Sequence, residues 1–257
     1  MINNVDNSWW NIHKMQAERL NREVGTLNDG YNCVKCKNRG YINIPTEVGI
    51  NQRPCECMQT RRVIRNAHTS GLHDKLKNCT FETFRAKESF QTAIKESAKE
   101  FCKDEKARCF YIGGQSGCGK THICTAIVGF YLKTGKEALY FKWCEEAKRL
   151  KSLINDSNYT HEIGKYKTIP VLYIDDFLKV PIGSTNITKP TSADINLALE
   201  LIDSRLNALN LITIVSSEFT LDDIISLDEA TAGRIKEAAG NYTLSINRDP
   251  QKNYRLK

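Results

Sequence analysis

The stretch Gly114-Gln115-Ser116-Gly117-Cys118-Gly119-Lys120-Thr121 fits the pattern G-x-x-x-x-G-K-[ST] in full. Before it stands Arg108-Cys109-Phe110-Tyr111-Ile112, an apolar run of strand length, and Lys120 to Thr134 after it reads as a helix. A strand, a glycine-rich turn and a helix start are the context in which this motif holds phosphate. Gly114, Gly117 and Gly119 let backbone amides turn inward around an anion without side-chain clashes. The helix N-terminus adds partial positive charge. In such a loop Lys120 reaches the β- and γ-phosphates of ATP and the Thr121 hydroxyl ligates Mg2+. Cys118, inside the loop, reads as a small filler beside the nucleotide.

Outward from the loop, Val171-Leu172-Tyr173-Ile174-Asp175-Asp176 is an apolar strand ending in two acids, the Walker B pattern. Asp175 would hold the Mg2+ and its water shell, and Asp176 would orient or activate the attacking water. Three further short apolar or β-branched runs read as strands: Ala138 to Trp143, Leu211 to Ser216 and Tyr242 to Ile246. Helical stretches separate the runs, at Lys120 to Thr134, Glu145 to Ile154, Ser192 to Asn207 and Leu221 to Ala238. Five buried strands interleaved with helices predict an α/β fold, a five-stranded, mostly parallel sheet with helices on both faces.

The N-terminal part follows other rules. Cys33-x-x-Cys36 and Cys55-x-Cys57 give four soft ligands in two close pairs, the composition of a tetrahedral structural zinc site. His13, His68 and His73 are possible substitute ligands. A module of this size has too little apolar core to hold together easily without a staple. The expected division is a zinc-binding domain over 1–75 and an ATPase domain over 76–257. Residues 6–25 read as a helix, with Asp6, Asn7 or Ser8 at its start and Gly25 at its end. Its adjacent Trp9 and Trp10 suit a helix packed on its own module or one that docks a partner. Residues 31–57 read as irregular, and 59–77 as a basic stretch, helical to about His68.

With 40% hydrophobic and 26% charged residues, the chain has an ordinary globular composition, which excludes disordered and fibrous classes. No apolar run approaches a membrane span, and Met1 to Trp10 lacks the features of a secretory signal, so a cytoplasmic protein is expected. The net charge of +7 sits mostly between Tyr31 and Ala107, with 15 Lys and Arg against 9 Asp and Glu. That bias fits proximity to nucleic acid, or simply a solvated surface.

These pieces together resemble the DnaC/DnaI family of bacterial replicative helicase loaders, in a phage or prophage type. The matching residues are Cys33-x2-Cys36-x3-Gly40-Tyr41-Ile42, Cys55-x-Cys57, Ser70-Gly71-Leu72 and Thr80-Phe81-Glu82-Thr83-Phe84. The loop running on into His122, Asp175-Asp176-Phe177-Leu178-Lys179 and Asn253-Tyr254-Arg255 complete them. The resemblance implies an AAA+ P-loop ATPase domain behind a zinc-binding domain that grips the helicase. Its implied partners are a DnaB-type hexameric helicase, single-stranded DNA and further copies of itself through the ATPase domain. It places His122 with the nucleotide, makes Arg234 the arginine finger acting on a neighbouring subunit, and makes Arg255 sensor 2. It implies that 145–167 is a helical element facing DNA, where Lys148, Arg149, Lys151, Lys165 and Lys167 supply charge. A solvated face balanced by Glu145 and Glu146 is the plainer reading of the same residues. At sensor 1 the family shows Thr-Ser-Asn, and here Ser216-Ser217-Glu218 stands instead. A carboxylate cannot donate to phosphate as an amide can. Either Ser217 substitutes or hydrolysis is slow, and Arg205 is a second candidate for a contact in trans.

Two other readings share the nucleotide loop. One is an IstB-like transposition helper ATPase acting on duplex DNA, in which the four-cysteine module is not expected. The other is a nucleotide-gated helicase adaptor or inhibitor with little turnover.

Overall fold

The computed structural model describes residues 7–29, 31–180, 189–249 and 252–253. The chain divides into two compact units, Met1–Arg65 and Asn66–Lys257.

In the first unit α1 (Asn7–Arg22) packs on a hairpin of β1 (Tyr41–Thr46) and β2 (Gly49–Pro54). Asn21 fixes that packing. Its Oδ1 accepts from the Asn43 amide at 2.9 Å and its Nδ2 donates to the Asn43 carbonyl at 2.8 Å. The helix stops before Gly25, which presses against the 37–39 turn so closely that a Cβ would lie 2.3 Å from the Asn38 carbonyl oxygen. Asp6, named as a possible cap, lies outside the described residues. The hairpin corrects the expectation of irregular chain over 31–57: Asn43, Asn51 and Gln52 hide the apolar alternation that marks a strand. Helix α2 (Cys57–Thr69) follows.

The second unit begins ten residues earlier than the expected boundary at 75. The reason lies in the residues before α3 (His73–Asn78): the Ser70 carbonyl accepts from the Tyr140 amide at 2.9 Å, so this segment lies along a strand of the sheet. Then come α4 (Ser89–Lys103), β3 (Cys109–Gly114), α5 (Lys120–Lys133), β4 (Ala138–Lys142), α6 (Trp143–Ser152), α7 (Tyr159–Thr168) and β5 (Val171–Asp175). They are followed by α8 (Ser192–Leu206), β6 (Ile212–Ser216), α9 (Leu221–Ile225), α10 (Glu229–Ala239) and β7 (Thr243–Ile246). The sheet runs β4-β5-β6-β3-β7, and each neighbouring pair is parallel.

Side chains alternate across the sheet. Tyr111, Phe141, Leu172, Ile174 and Val215 face a core shared with α6, α7, α8 and α10. Phe110, on the opposite face, meets Phe101 of α4 with ring centroids 5.4 Å apart. The strand carrying the glycine loop is thus central and covered on both faces, as parallel strands require. The expected helix over 221–238 is two helices, because the Asp228 side chain accepts from the Thr231 amide and starts a new one. Helices α3 and α4 are additions to the sequence reading, and the helical element expected over 145–167 is two helices, α6 and α7.

Candidate functional site

The phosphate loop joins β3 to α5. Gly117 (φ +76°) and Gly119 (φ +99°) hold backbone conformations that L side chains rarely adopt. There is no room either: a Cβ on Gly117 would lie 2.0 Å from Asn253 Oδ1, and one on Gly119 would lie 2.8 Å from the Phe84 ring. Lys120 is buried, and its ammonium donates to the carbonyls of Gly114 at 2.8 Å and Gln115 at 2.7 Å. Burial holds its pKa below the ordinary lysine value, while Cys118, Glu218 and Asp176 pull the other way. The Cys118 thiol donates to the Gln115 carbonyl at 3.0 Å and is buried, so it braces the loop from within.

Asp175 ends β5 inside a ring of donors. Ser216 Oγ donates at 2.5 Å, Tyr140 and Tyr173 hydroxyls at 2.7 Å each, and Thr121 Oγ1 at 3.2 Å. Lys75 Nζ is 3.7 Å from its other oxygen and lies over the Tyr140 ring. Burial alone would raise the pKa of this carboxyl, but the hydroxyls and the Lys75 charge outweigh it and hold it below the ordinary range. Asp176 stands next to it with φ +55°, its carboxylate 3.3 Å from Lys179 Nζ.

Lys75, Lys120, Thr121, Asp175, Asp176, Lys179 and Glu218 line one cleft of about 390 Å3. A second cleft of about 420 Å3, lined by Phe84, Arg85, Lys87 and Gln91, meets the first along Gly117, Gly119 and His122. His122 anchors this side, its Nε2 within 3.0 Å of the Thr80 carbonyl and 3.2 Å of Thr83 Oγ1. The structure thus brings Gly114, Gly117, Gly119, Lys120, Thr121, His122, Asp175 and Asp176 together. It also adds Lys75 and Tyr140, which no motif held, and gives contacts to Tyr173 and Lys179, which the motifs contained without assigning them a role. The one available signal was that Tyr140 and Tyr173 each sit two or three residues before the acids or the strand end.

Two expected positions are corrected. Ser217 does not face the cleft: its hydroxyl donates to the Phe177 carbonyl at 2.8 Å and accepts from the Phe219 amide at 3.1 Å. Arg205 is fully buried and holds the carbonyls of Tyr166, Ile169 and Ile212 and the hydroxyl of Thr213, so it is not available to another subunit. Arg234 lies on α10, half-exposed, 2.6 Å from Asp203 and beside a separate cleft with Arg108 and Lys106. Arg255 lies outside the described residues. On the expected DNA-facing helices, Arg149, Lys151, Lys165 and Lys167 are engaged by Glu146, Glu162, Asp194 and Glu200. Among the described residues Lys148 alone of those five basic side chains makes no ion pair, and of the two expected balancing acids Glu146 pairs with Arg149 whereas Glu145 pairs with Lys142.

In the first unit the sulfurs of Cys33, Cys36, Cys55 and Cys57 all lie within 4.8 Å of one another. Cys33 and Cys55 are 3.9 Å apart, and Cys36 and Cys57 are 3.5 Å apart. Tetrahedral zinc with bonds of about 2.3 Å requires sulfurs roughly 3.8 Å apart, so the four thiols fit that ion. The Gly40 amide donates to Cys36 at 3.4 Å. Burial raises the Cys36 thiol, but this amide and the neighbouring thiols lower it further, to about 6. Burial pushes Cys57 up to about 12, with the Arg61 guanidinium pulling it down. Arg61 is itself fully buried, paired with Asp29 and donating to Asn38 Oδ1 at 2.6 Å. A buried cation suits a four-thiolate zinc, which carries two net negative charges. No histidine is needed: His13 is engaged with the Thr46 carbonyl at 3.0 Å, and His68 and His73 stack on each other.

The profile of the IstB-like ATP binding protein family matches residues 53–230. The chain belongs to this family. Among curated relatives, YqaM of Bacillus subtilis (strain 168) is 31% identical over 79% of this chain and 66% of its own length. The phage-like element PBSX protein XkdC of the same organism is 30% identical over 84% of this chain and 82% of its own. The replicative helicase loader DnaC of Buchnera aphidicola subsp. Schizaphis graminum is 26% identical over 48% of this chain and 51% of its own, so only about half of that loader is spanned. The crystal structure of DnaI superposes with a TM-score of 0.54 at 19% identity, covering 68% of this chain and 93% of that one. That likeness shows the fold of the second unit, an α/β domain with a P-loop between β3 and α5, and membership of the family brings ATP binding. No helix among the described residues is long and apolar enough to cross a membrane.

Proposed function

We propose that this chain is an ATP-dependent loader for a DnaB-type hexameric replicative helicase, acting in the cytoplasm and delivering that ring onto single-stranded DNA. The observation that carries the reading is the conjunction, in one chain, of a four-thiol unit with a phosphate loop whose Thr121 is already bonded to the Walker acid Asp175. The family profile alone would suit a transposition helper equally, and the four-thiol unit is what tips the choice. The DnaC relative is a replicative helicase loader by name.

In this reading the loop amides and Lys120 hold the β- and γ-phosphates. Lys120 now donates to two loop carbonyls, partners it can exchange for an anion. Thr121 and Asp175 would hold Mg2+, which when bound neutralises phosphate charge. Asp176 orients the attacking water and accepts its proton. The second cleft, with Phe84 and Arg85, takes the base. Arg234 lines neither cleft of its own chain, so the γ-phosphate it reaches belongs to another copy, and hydrolysis depends on self-association. Zinc would be held by Cys33, Cys36, Cys55 and Cys57, shaping the unit that grips the helicase. Trp9 and Trp10 are 63% and 44% exposed, the state of side chains that await a partner.

The test is light scattering after gel filtration of a mixture with the replicative helicase of the host, with ATP and Mg2+. A complex heavier than the helicase hexamer is expected, weakened at least tenfold by Trp10→Ala with nucleotide binding intact, as a buried aromatic anchor implies. Absence of a complex with folded, zinc-loaded protein overturns the reading and favours a transposase partner and duplex DNA.

A further inference from the structure

The turn after the Walker acids is shaped with some strain. Asp176 and Leu178 have φ of +55° and +61°, in a region that non-glycine residues occupy at a cost. Phe177 and Leu178 are buried and anchor the turn, the Phe177 amide donates to the Ser216 carbonyl at 2.9 Å, and the Lys179 amide donates to the Asp176 carbonyl at 2.9 Å. The outcome is that Lys179 doubles back into the phosphate cleft. Its ammonium lies 2.9 Å from Glu218 Oε1 and 3.3 Å from Asp176 Oδ2, and all three side chains line the cleft that also holds Lys120 and Thr121.

We infer that Lys179, presented by Glu218, is the donor that recognises the γ-phosphate of ATP in this chain. The inference rests on the reading of this cleft as an ATP site and deepens it. An amide at position 218 would donate to phosphate directly. A carboxylate there cannot, but it can hold an ammonium, which has three donors and, among the described residues, two acceptors, Asp176 and Glu218. The γ-phosphate becomes the third acceptor. The terminal phosphate, at most a dianion, takes that free donor and draws the ammonium away from Asp176, which is released toward water while Glu218 keeps Lys179 in place. Glu218 is therefore a positioning residue, and Lys179 touches substrate. Burial lowers the Lys179 pKa and its two carboxylate partners raise it more, so the group stays a cation. A simple surface ion pair would not require the backbone strain that turns Lys179 inward, nor put both of its acids in the nucleotide cleft.

The test is calorimetric binding of ADP and of a non-hydrolysable ATP analogue, each with Mg2+, to the full chain and to four variants. Lys179→Met is expected to lose about tenfold in affinity for the ATP analogue, as expected for a charge-assisted contact to phosphate, with ADP affinity within about twofold. Glu218→Ala, which removes the anchor and supplies no donor, loses ATP affinity by a smaller factor in the same sense. Lys179→Met combined with Glu218→Asn recovers it, because an amide then donates in place of the ammonium. Equal losses for both nucleotides, or none, in a Lys179→Met protein with an unchanged melting temperature overturn the inference and leave the ATP reading standing. Lys120→Ala, the fourth variant, weakens both nucleotides if the cleft is the ATP site. A wild-type chain that binds neither nucleotide overturns that reading and the inference with it.

Discussion

Arg205 shows how far a residue type alone can mislead. An arginine on the helix before β6 invites a role between subunits, yet its guanidinium closes a gap between α7, β5 and β6 by bonding three carbonyls and one hydroxyl. Removing it takes a buried donor from each of those acceptors. Arg205→Met should cost about 3–5 kcal/mol of unfolding free energy, measured by urea denaturation, with nucleotide affinity unchanged once the protein is folded. The residues of the glycine loop and the two acids were legible because the motif fixes both identity and spacing. Lys75, Tyr140 and Tyr173 were not, because their meeting at Asp175 is set by the parallel register of β4 on β5, which pairs Tyr140 with Tyr173. No local pattern carries that register. Ser217 was misread for a related cause: neighbouring residues of a strand end face opposite ways, and it is Ser216 that reaches the acid.

At the scale of elements, α6 and α7 are held together by a net of charges rather than by apolar contact alone. Glu162 accepts from Lys165 at 2.5 Å and from Arg149 at 2.8 Å, and these partners hold its carboxyl down at about 2 against an ordinary 4.5. The folded chain therefore binds this proton more weakly than the unfolded one. The contribution to stability is whole above about pH 4.5 and is lost as the pH falls toward 2. Glu162→Gln should flatten the acid unfolding curve, followed by far-UV circular dichroism, across that window and leave it unchanged near neutrality apart from a constant offset. The elements that the sequence revealed were those with unbroken apolar runs, such as Val171–Asp175. Among those it concealed is the β1–β2 hairpin, whose Asn43 answers to Asn21.

At the scale of the whole molecule, the two units depend on different forces. The second unit has an extensive apolar core, whereas among the described residues the buried cluster around the four thiols gathers Tyr31 and Ile42 at its margin. Metal binding is worth about 10–16 kcal/mol in small structural zinc sites, more than such a core supplies. Chelation of the metal should therefore unfold residues 1–65 alone. Limited proteolysis would then release a fragment beginning near residue 66 that still binds nucleotide; a chain whose digestion pattern ignores the chelator would show that the thiols hold no structural metal. The order of strands has a further consequence, for the chain as it is being made. Strand β3 lies between β6 and β7, and Gly117 lies against Asn253, so the phosphate loop, translated early, lacks part of its walls until the segments beyond 212 have emerged. At ribosomal rates of about 5–20 residues per second, that delay is on the order of ten seconds. The four thiols, all within 33–57, are complete well before then, and a nascent chain can present its N-terminal unit to a partner while its nucleotide site is still unbuilt.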